Sequence, residues 1–187
     1  MAHGGRRPHR RGPVRQLPSG IGPPGASTWK ATTVRLKTGH GDITVDHATG
    51  RTEIHGSGRG RVGRVDADAT VKNHNGETTI GEVTGELDVN SANGPIGVVR
   101  AESSVTAKTS SGPIRIDQVI RGRITVESAA GGLEIGIAEG SAAWLDLESK
   151  AGRVRNELAM AKAPERSEEK VEVRGRTGVG DIVIRRA

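Results

Sequence analysis

The sequence predicts an all-β fold, a single-stranded parallel β-helix-like solenoid of about eight coils with ~18 residues each. Three observations predict it. A glycine recurs at Gly41, Gly58, Gly76, Gly94, Gly112, Gly131, Gly152 and Gly180, at steps of 17, 18, 18, 18, 19, 21 and 28 residues. Three residues before each glycine stand Thr38, His55, Asn73, Ser91, Thr109, Ser128, Ser149 and Thr177, and only the second is not Ser, Thr or Asn. Aliphatic residues flank this phrase at every second position, which is the period of a strand and not of a helix.

Each element of a coil follows from these columns. Before the phrase, pairs such as Val71 and Ala69, Val89 and Leu87, or Val126 and Ile124 define a first short strand with one apolar face. The phrase itself is a corner, in which a hydroxyl or amide bonds turn backbone and the glycine takes a conformation that a Cβ disfavours. After it, pairs such as Ile96 and Val98 or Ile114 and Ile116 define a second strand. A third, shorter side is expected in stretches such as "DQVIRG" and "EVTGE".

Strands this short cannot stand alone, so each coil is expected to stack on the one before it at ~4.8 Å. Like residues then form columns: aliphatics inside, and corners at Thr38, Gly41, Asn73, Gly76, Ser91, Gly94, Thr109, Gly112, Ser128, Gly131, Ser149, Gly152, Thr177 and Gly180. The ends of such a stack are open edges, and the N-terminal coil shows no obvious cap. Residues 156–170, with Pro164, interrupt the repeat and read as an irregular surface loop.

Composition limits the chemistry. No Cys excludes disulfides and thiolate metal sites, and with two Trp, no Phe and no Tyr the core must be aliphatic. The net charge of +6 resides wholly in residues 1–33, where Arg6, Arg7, Arg10, Arg11, Arg15 and Lys30 meet no acid. That segment also holds five of the eight prolines and is expected to be a disordered basic tail preceding a repeat domain of 34–187. It reads as a start that is non-native or wrongly assigned, with an anion-binding arm as the other possibility. A folded part with balanced charge argues against a nucleic-acid face. Neither a membrane span nor a secretory h-region is evident, so a cytoplasmic location is expected, with envelope association left open.

Several motifs have better bland readings. "GRGRVG", from Gly58 to Gly63, matches a dinucleotide loop but is followed by a strand pattern where a helix is needed. "GHGDITV" and "GVGDIVI" resemble calcium repeats, yet Asp42 and Asp181 stand at opposite ends of the repeat with no acid column between them. His40, His47, His55 and His74 occupy different repeat positions, so no zinc column forms. Asp66 and Asp68 are placed to share a strand face, like the paired carboxylates of β-helix polysaccharide enzymes, but no second set of acids opposes them. No "GxSxG" elbow occurs. Catalytic, cofactor and metal residues are therefore all predicted as none.

The phrases "NSANGPI" and "KTSSGPI", the run "AAWLDLESKAGRVRN" and the terminal "RTGVGDIVIRR" resemble a bacterial family of adhesin-like β-strand-repeat domains of unknown function, over about 34–187. The resemblance implies a right-handed parallel β-helix, no agreed catalytic residues, and links in some members to the cell envelope or its stress responses. The expected function is a non-enzymatic interaction or scaffold module that binds a protein partner or itself through a solenoid face or end. The alternatives are a carbohydrate-binding or carbohydrate-active β-helix, and an anion- or nucleic-acid-binding adaptor acting through the tail.

Overall fold

The structure, a computed structural model, describes residues 33–158 and 169–187. Most of the predicted basic tail, and the centre of the predicted 156–170 loop, lie outside those residues. Strands alternate along the chain between two all-parallel sheets. In spatial order the first holds β1 (Thr33–Lys37), β3 (Arg51–Gly56), β5 (Ala69–Asn75), β7 (Leu87–Asn93), β9 (Val105–Ser111), β11 (Gly122–Ala130), β15 (Lys170–Val179) and β13 (Ala142–Ala151). The second holds β2 (Ile43–Ala48), β4 (Gly60–Val65), β6 (Thr78–Val83), β8 (Ile96–Ala101), β10 (Ile114–Val119), β12 (Leu133–Ile137), β16 (Ile182–Arg186) and β14 (Val154–Asn156). The all-β, parallel, solenoid-like class is what the repeat predicts.

Register holds because the repeat length hardly varies. Ile54 pairs with Val71, Val71 with Val89, Val89 with Ala107 and Ala107 with Val126, so one inward column runs through the first sheet. Across from it, Val62, Ile80, Val98, Ile116, Ile135 and Ile184 form another. These side chains are at most 2% exposed and make one continuous aliphatic core. Each fully buried Val, Leu or Ile contributes about 1.5–3 kcal/mol against the ordering entropy of its coil.

Two expectations are corrected. Among the described residues there is no third side. In β6 the inward residues are Thr78, Ile80 and Val83, so the alternation slips by one residue after Ile80 and the ladder skips Gly81. The slip turns the strand around the narrow edge of the sandwich. Stretches such as "DQVIRG" split accordingly: Asp117–Val119 finish β10, and Ile120 and Arg121 alone make the return to β11.

The second correction concerns stacking order. Coils follow the chain from β1–β2 to β11–β12, but the C-terminal β15–β16 coil then inserts between β11–β12 and β13–β14. Ile124 pairs with Val173, which pairs in turn with Leu145. The chain therefore leaves one rung empty after β12, builds β13–β14, and comes back to fill it. Burial follows this order: Val171, Val173, Ile182 and Ile184 are at most 1% exposed, whereas Val154 is 46% exposed. Among the described residues, the stack thus ends at β1–β2 and at β13–β14. The 28-residue step between Gly152 and Gly180, lengthened by residues 156–170 that read as a surface loop, is the length that allows this return.

Candidate functional site

The corner glycines stack directly on one another. A Cβ on Gly94 would fall within 3.0 Å of the Gly76 carbonyl oxygen, and the same holds for Gly112 on Gly94, Gly131 on Gly112, Gly180 on Gly131 and Gly152 on Gly180. Gly41, Gly76, Gly94, Gly112, Gly131 and Gly180 also have positive φ, between 97° and 156°. The order of this column, with Gly180 between Gly131 and Gly152, repeats the strand insertion.

Polar groups three residues earlier are spent on the same column. Ser128 Oγ donates to Gly112 O at 3.1 Å, Thr177 Oγ1 to Gly131 O at 2.8 Å, and Ser149 Oγ to Gly180 O at 2.9 Å. Asn73 Nδ2 donates to Gly58 O at 2.8 Å. Thr38, Ser91 and Thr109 donate to carbonyls of their own turns. Each of these hydroxyls therefore already donates to backbone in or next to its corner.

The other candidates are accounted for as well. Asp42 Oδ1 accepts from Arg59 N at 2.9 Å and Asp181 Oδ1 from Arg153 N at 2.8 Å, so each Gly-Asp caps the neighbouring corner. Asp66 accepts from Arg64 Nε and His47 Nε2, and these bonds, the Arg64 one first, hold its carboxyl below the usual carboxylate range. Asp68 turns to Glu86 N and Arg51. The two acids thus belong to separate networks, and the expectation of a shared face is not met. A depressed carboxyl is poorly suited to act as a general acid. His55 bonds Glu53, and among the described residues no group of three or more His, Asp or Glu could hold a metal ion.

What the sequence reading missed is the outer surface. Charges of opposite sign sit on neighbouring rungs: Arg35 with Glu53 at 2.8 Å, Lys108 with Glu127 at 3.1 Å, Arg123 with Glu172 at 3.0 Å, and Arg174 with Asp146 at 3.2 Å. On the second sheet, Arg64–Glu82 and the Arg115–Glu134–Arg185–Asp117 cluster do the same. The signal was present in the sequence as sign alternation at one repeat's spacing, visible only when outward positions are aligned.

Between the ladders run shallow grooves. One of about 770 Å³ crosses the first sheet beside the corner, lined by Asn90, Lys108, Glu127, Glu148, Lys150 and Arg176. A smaller hollow of about 530 Å³ lies beside Trp144, which is 57% exposed on β13. Both open broadly to solvent, and neither encloses a reacting group away from water.

The sequence pattern of the Toastrack DUF4097 family matches residues 24–186. The chain belongs to the Toastrack DUF4097 family. This Toastrack match begins ahead of Val34, inside the stretch that composition alone assigns to the tail. No curated protein and no solved structure matches the chain. Membership establishes a repeat-type family of unknown function.

Proposed function

We propose that this Toastrack chain is a non-enzymatic scaffold or interaction module, a right-handed coil of about eight turns that engages a protein partner along its first sheet. The observation that carries this reading is the open, polar groove across Asn90, Lys108, Glu127 and Arg176, on a face built of regular parallel rungs. Flat faces with interspersed charge suit extended partners, and charge order sets which partner docks. An adhesin-like role, or one in the response of the envelope to stress, rests on the resemblance of the repeat phrases, and a cytoplasmic location rests on the sequence pattern alone, which shows neither a membrane span nor a secretory h-region.

Affinity capture with the full chain tests the reading. Partners retained by the parent chain and lost by a Lys108→Glu, Arg176→Glu double variant support it. Release of new reducing ends from any member of a glycan panel overturns it in favour of an enzyme.

Exposed Trp144 favours a second reading, carbohydrate binding without cleavage, because an open indole face stacks on sugar rings. Binding on a glycan array that is lost in Trp144→Ala would support it.

A further inference from the structure

We infer that the chain assembles head to tail with further copies of itself, β13 of one copy pairing in parallel with β1 of the next. The inference rests on the scaffold reading and names its partner. Among the described residues the two ends of the stack are different surfaces, one formed by β1 and β2 and the other by β13 and β14. All strands are parallel, so a second copy placed beyond β13 in the same orientation continues both sheets without reversing any strand. Such a contact is heterologous and extends without closing.

The charge order selects this contact. In the outward column of Arg35, the last rungs before the far end are Arg174 and then Asp146, and the first rungs from the near end are Arg35 and then Glu53. A head-to-tail junction brings Asp146 against Arg35 and keeps the sign alternating. In the next outward column, Arg176 and Glu148 close one end while Lys37 opens the other, so Glu148 meets Lys37. A head-to-head junction would instead oppose Arg35 and Lys37 to themselves, and a tail-to-tail junction would oppose Asp146 and Glu148 to themselves; both are disfavoured by like charge.

Inside the junction the columns also continue. Leu145 and Leu147, half-buried at one end, come over Val34 and Leu36, half-buried at the other. Gly41 has φ +112° and, among the described residues, nothing within 4 Å of the place where its Cβ would be, whereas Gly76, Gly94, Gly112, Gly131 and Gly180 have a neighbouring glycine carbonyl there. At the junction, Gly152 of the preceding copy supplies that carbonyl. The series of N–H donations from Gly94 to Ser111 O, Gly112 to Ala130 O, Gly131 to Val179 O and Gly180 to Ala151 O then passes from Gly152 into the next copy.

Sedimentation velocity of the full chain across a wide concentration range tests this, with two charge-swapped variants: Arg35→Glu, Lys37→Glu at one end and Asp146→Arg, Glu148→Lys at the other. The parent is expected to form a concentration-dependent series whose weight-average mass more than doubles. Each variant alone is expected to stay monomeric, and an equimolar mixture of the two to recover the series, since every junction then joins opposite charges. That recovery separates lost contact from lost folding. A parent that is monomeric throughout, variants that assemble like the parent, or folded variants whose mixture stays monomeric overturn the inference. A monomeric parent that still captures a partner through its groove leaves the scaffold reading standing. Glycan cleavage by an assembling parent removes that reading and not the assembly.

Discussion

Leu147 packs over Gly175: the Cβ that Gly175 lacks would lie 3.0 Å from Leu147 Cδ2 and 3.6 Å from Leu133 Cδ1. A gap in the inward column of β15 is thus filled from the rung that comes earlier in sequence but later in space. This places β15–β16 inside the stack and β13–β14 at its edge. Native-state hydrogen exchange should show it directly. Amides of Val173 and Ile184 are expected to exchange at least tenfold more slowly than those of Leu145 and Arg155, because edge strands open locally at lower cost. Equal or reversed protection would contradict the inserted order.

The glycine column predicts unequal costs for one kind of change. Gly112→Val is expected to destabilise by more than about 3 kcal/mol, since it forces a Cβ into both a disfavoured φ and the Gly94 carbonyl. Gly41→Ala meets no atom within 4 Å and should cost only the backbone strain, about 1–2 kcal/mol. Urea midpoints of the two variants at low protein concentration, where chains are unassociated, check the difference.

Ile114 is 1% exposed between Ile96 and Leu133. Ile114→Ala should cost about 2–5 kcal/mol, as large-to-small core changes do. Ile114→Asp places a carboxyl with no partner in the same aliphatic layer and should leave the chain unfolded at room temperature, given a typical margin of about 5–15 kcal/mol. Far-ultraviolet circular dichroism distinguishes a folded from an unfolded chain.

Asp181 caps the β13–β14 corner through Arg153 N. Asp181→Ala should cost about 1 kcal/mol and loosen that end coil first, raising exchange at Arg153 and Val154 while leaving the β5–β6 coil unchanged. A uniform loss of protection along the stack would count against a local cap.

Acid should weaken the fold through Glu53 and Asp66. His55, then Arg35, hold Glu53 low, and Arg64, then His47, hold Asp66 low. A carboxyl depressed in the folded state contributes stability that is fully present above its ordinary value and lost as pH falls through the folded value. Melting temperature should therefore drop below the normal carboxylate range. The drop should be shallower in a Glu53→Gln, Asp66→Asn double variant, as thermal melts across that range would show. Both groups are solvent-exposed, so the effect is expected to be modest.

Much of the fold was legible because a solenoid is written one rung at a time. Aliphatic alternation such as Ile114 and Ile116 reports burial locally, and the recurrence of Gly76, Gly94 and Gly112 reports like positions. The slip at Gly81 was not legible, because a strand that bends and a strand that ends leave similar gaps in the alternation. The separation of Asp66 from Asp68 follows from the same edge turn. The surface ladders were hidden for another reason: Arg35 and Glu53 are a full repeat apart, and their pairing appears only after the register is known.

That the chain is an aliphatic, glycine-cornered parallel stack is written in its residues, because each coil carries its own strand periods and its own corner. The order of the last two rungs comes from packing across the stack. Both carry the same phrase and either fits beside Ile124 locally. The choice falls to side chains that meet only across the stack: Val173, Ile182 and Ile184 suit a rung covered on both sides. Asn156, paired with inward Ile184, turns its amide to Leu158 N and suits an edge. Burying the aliphatic rung and exposing the polar one is the lower free-energy arrangement, and the long connection after Asn156 makes it reachable.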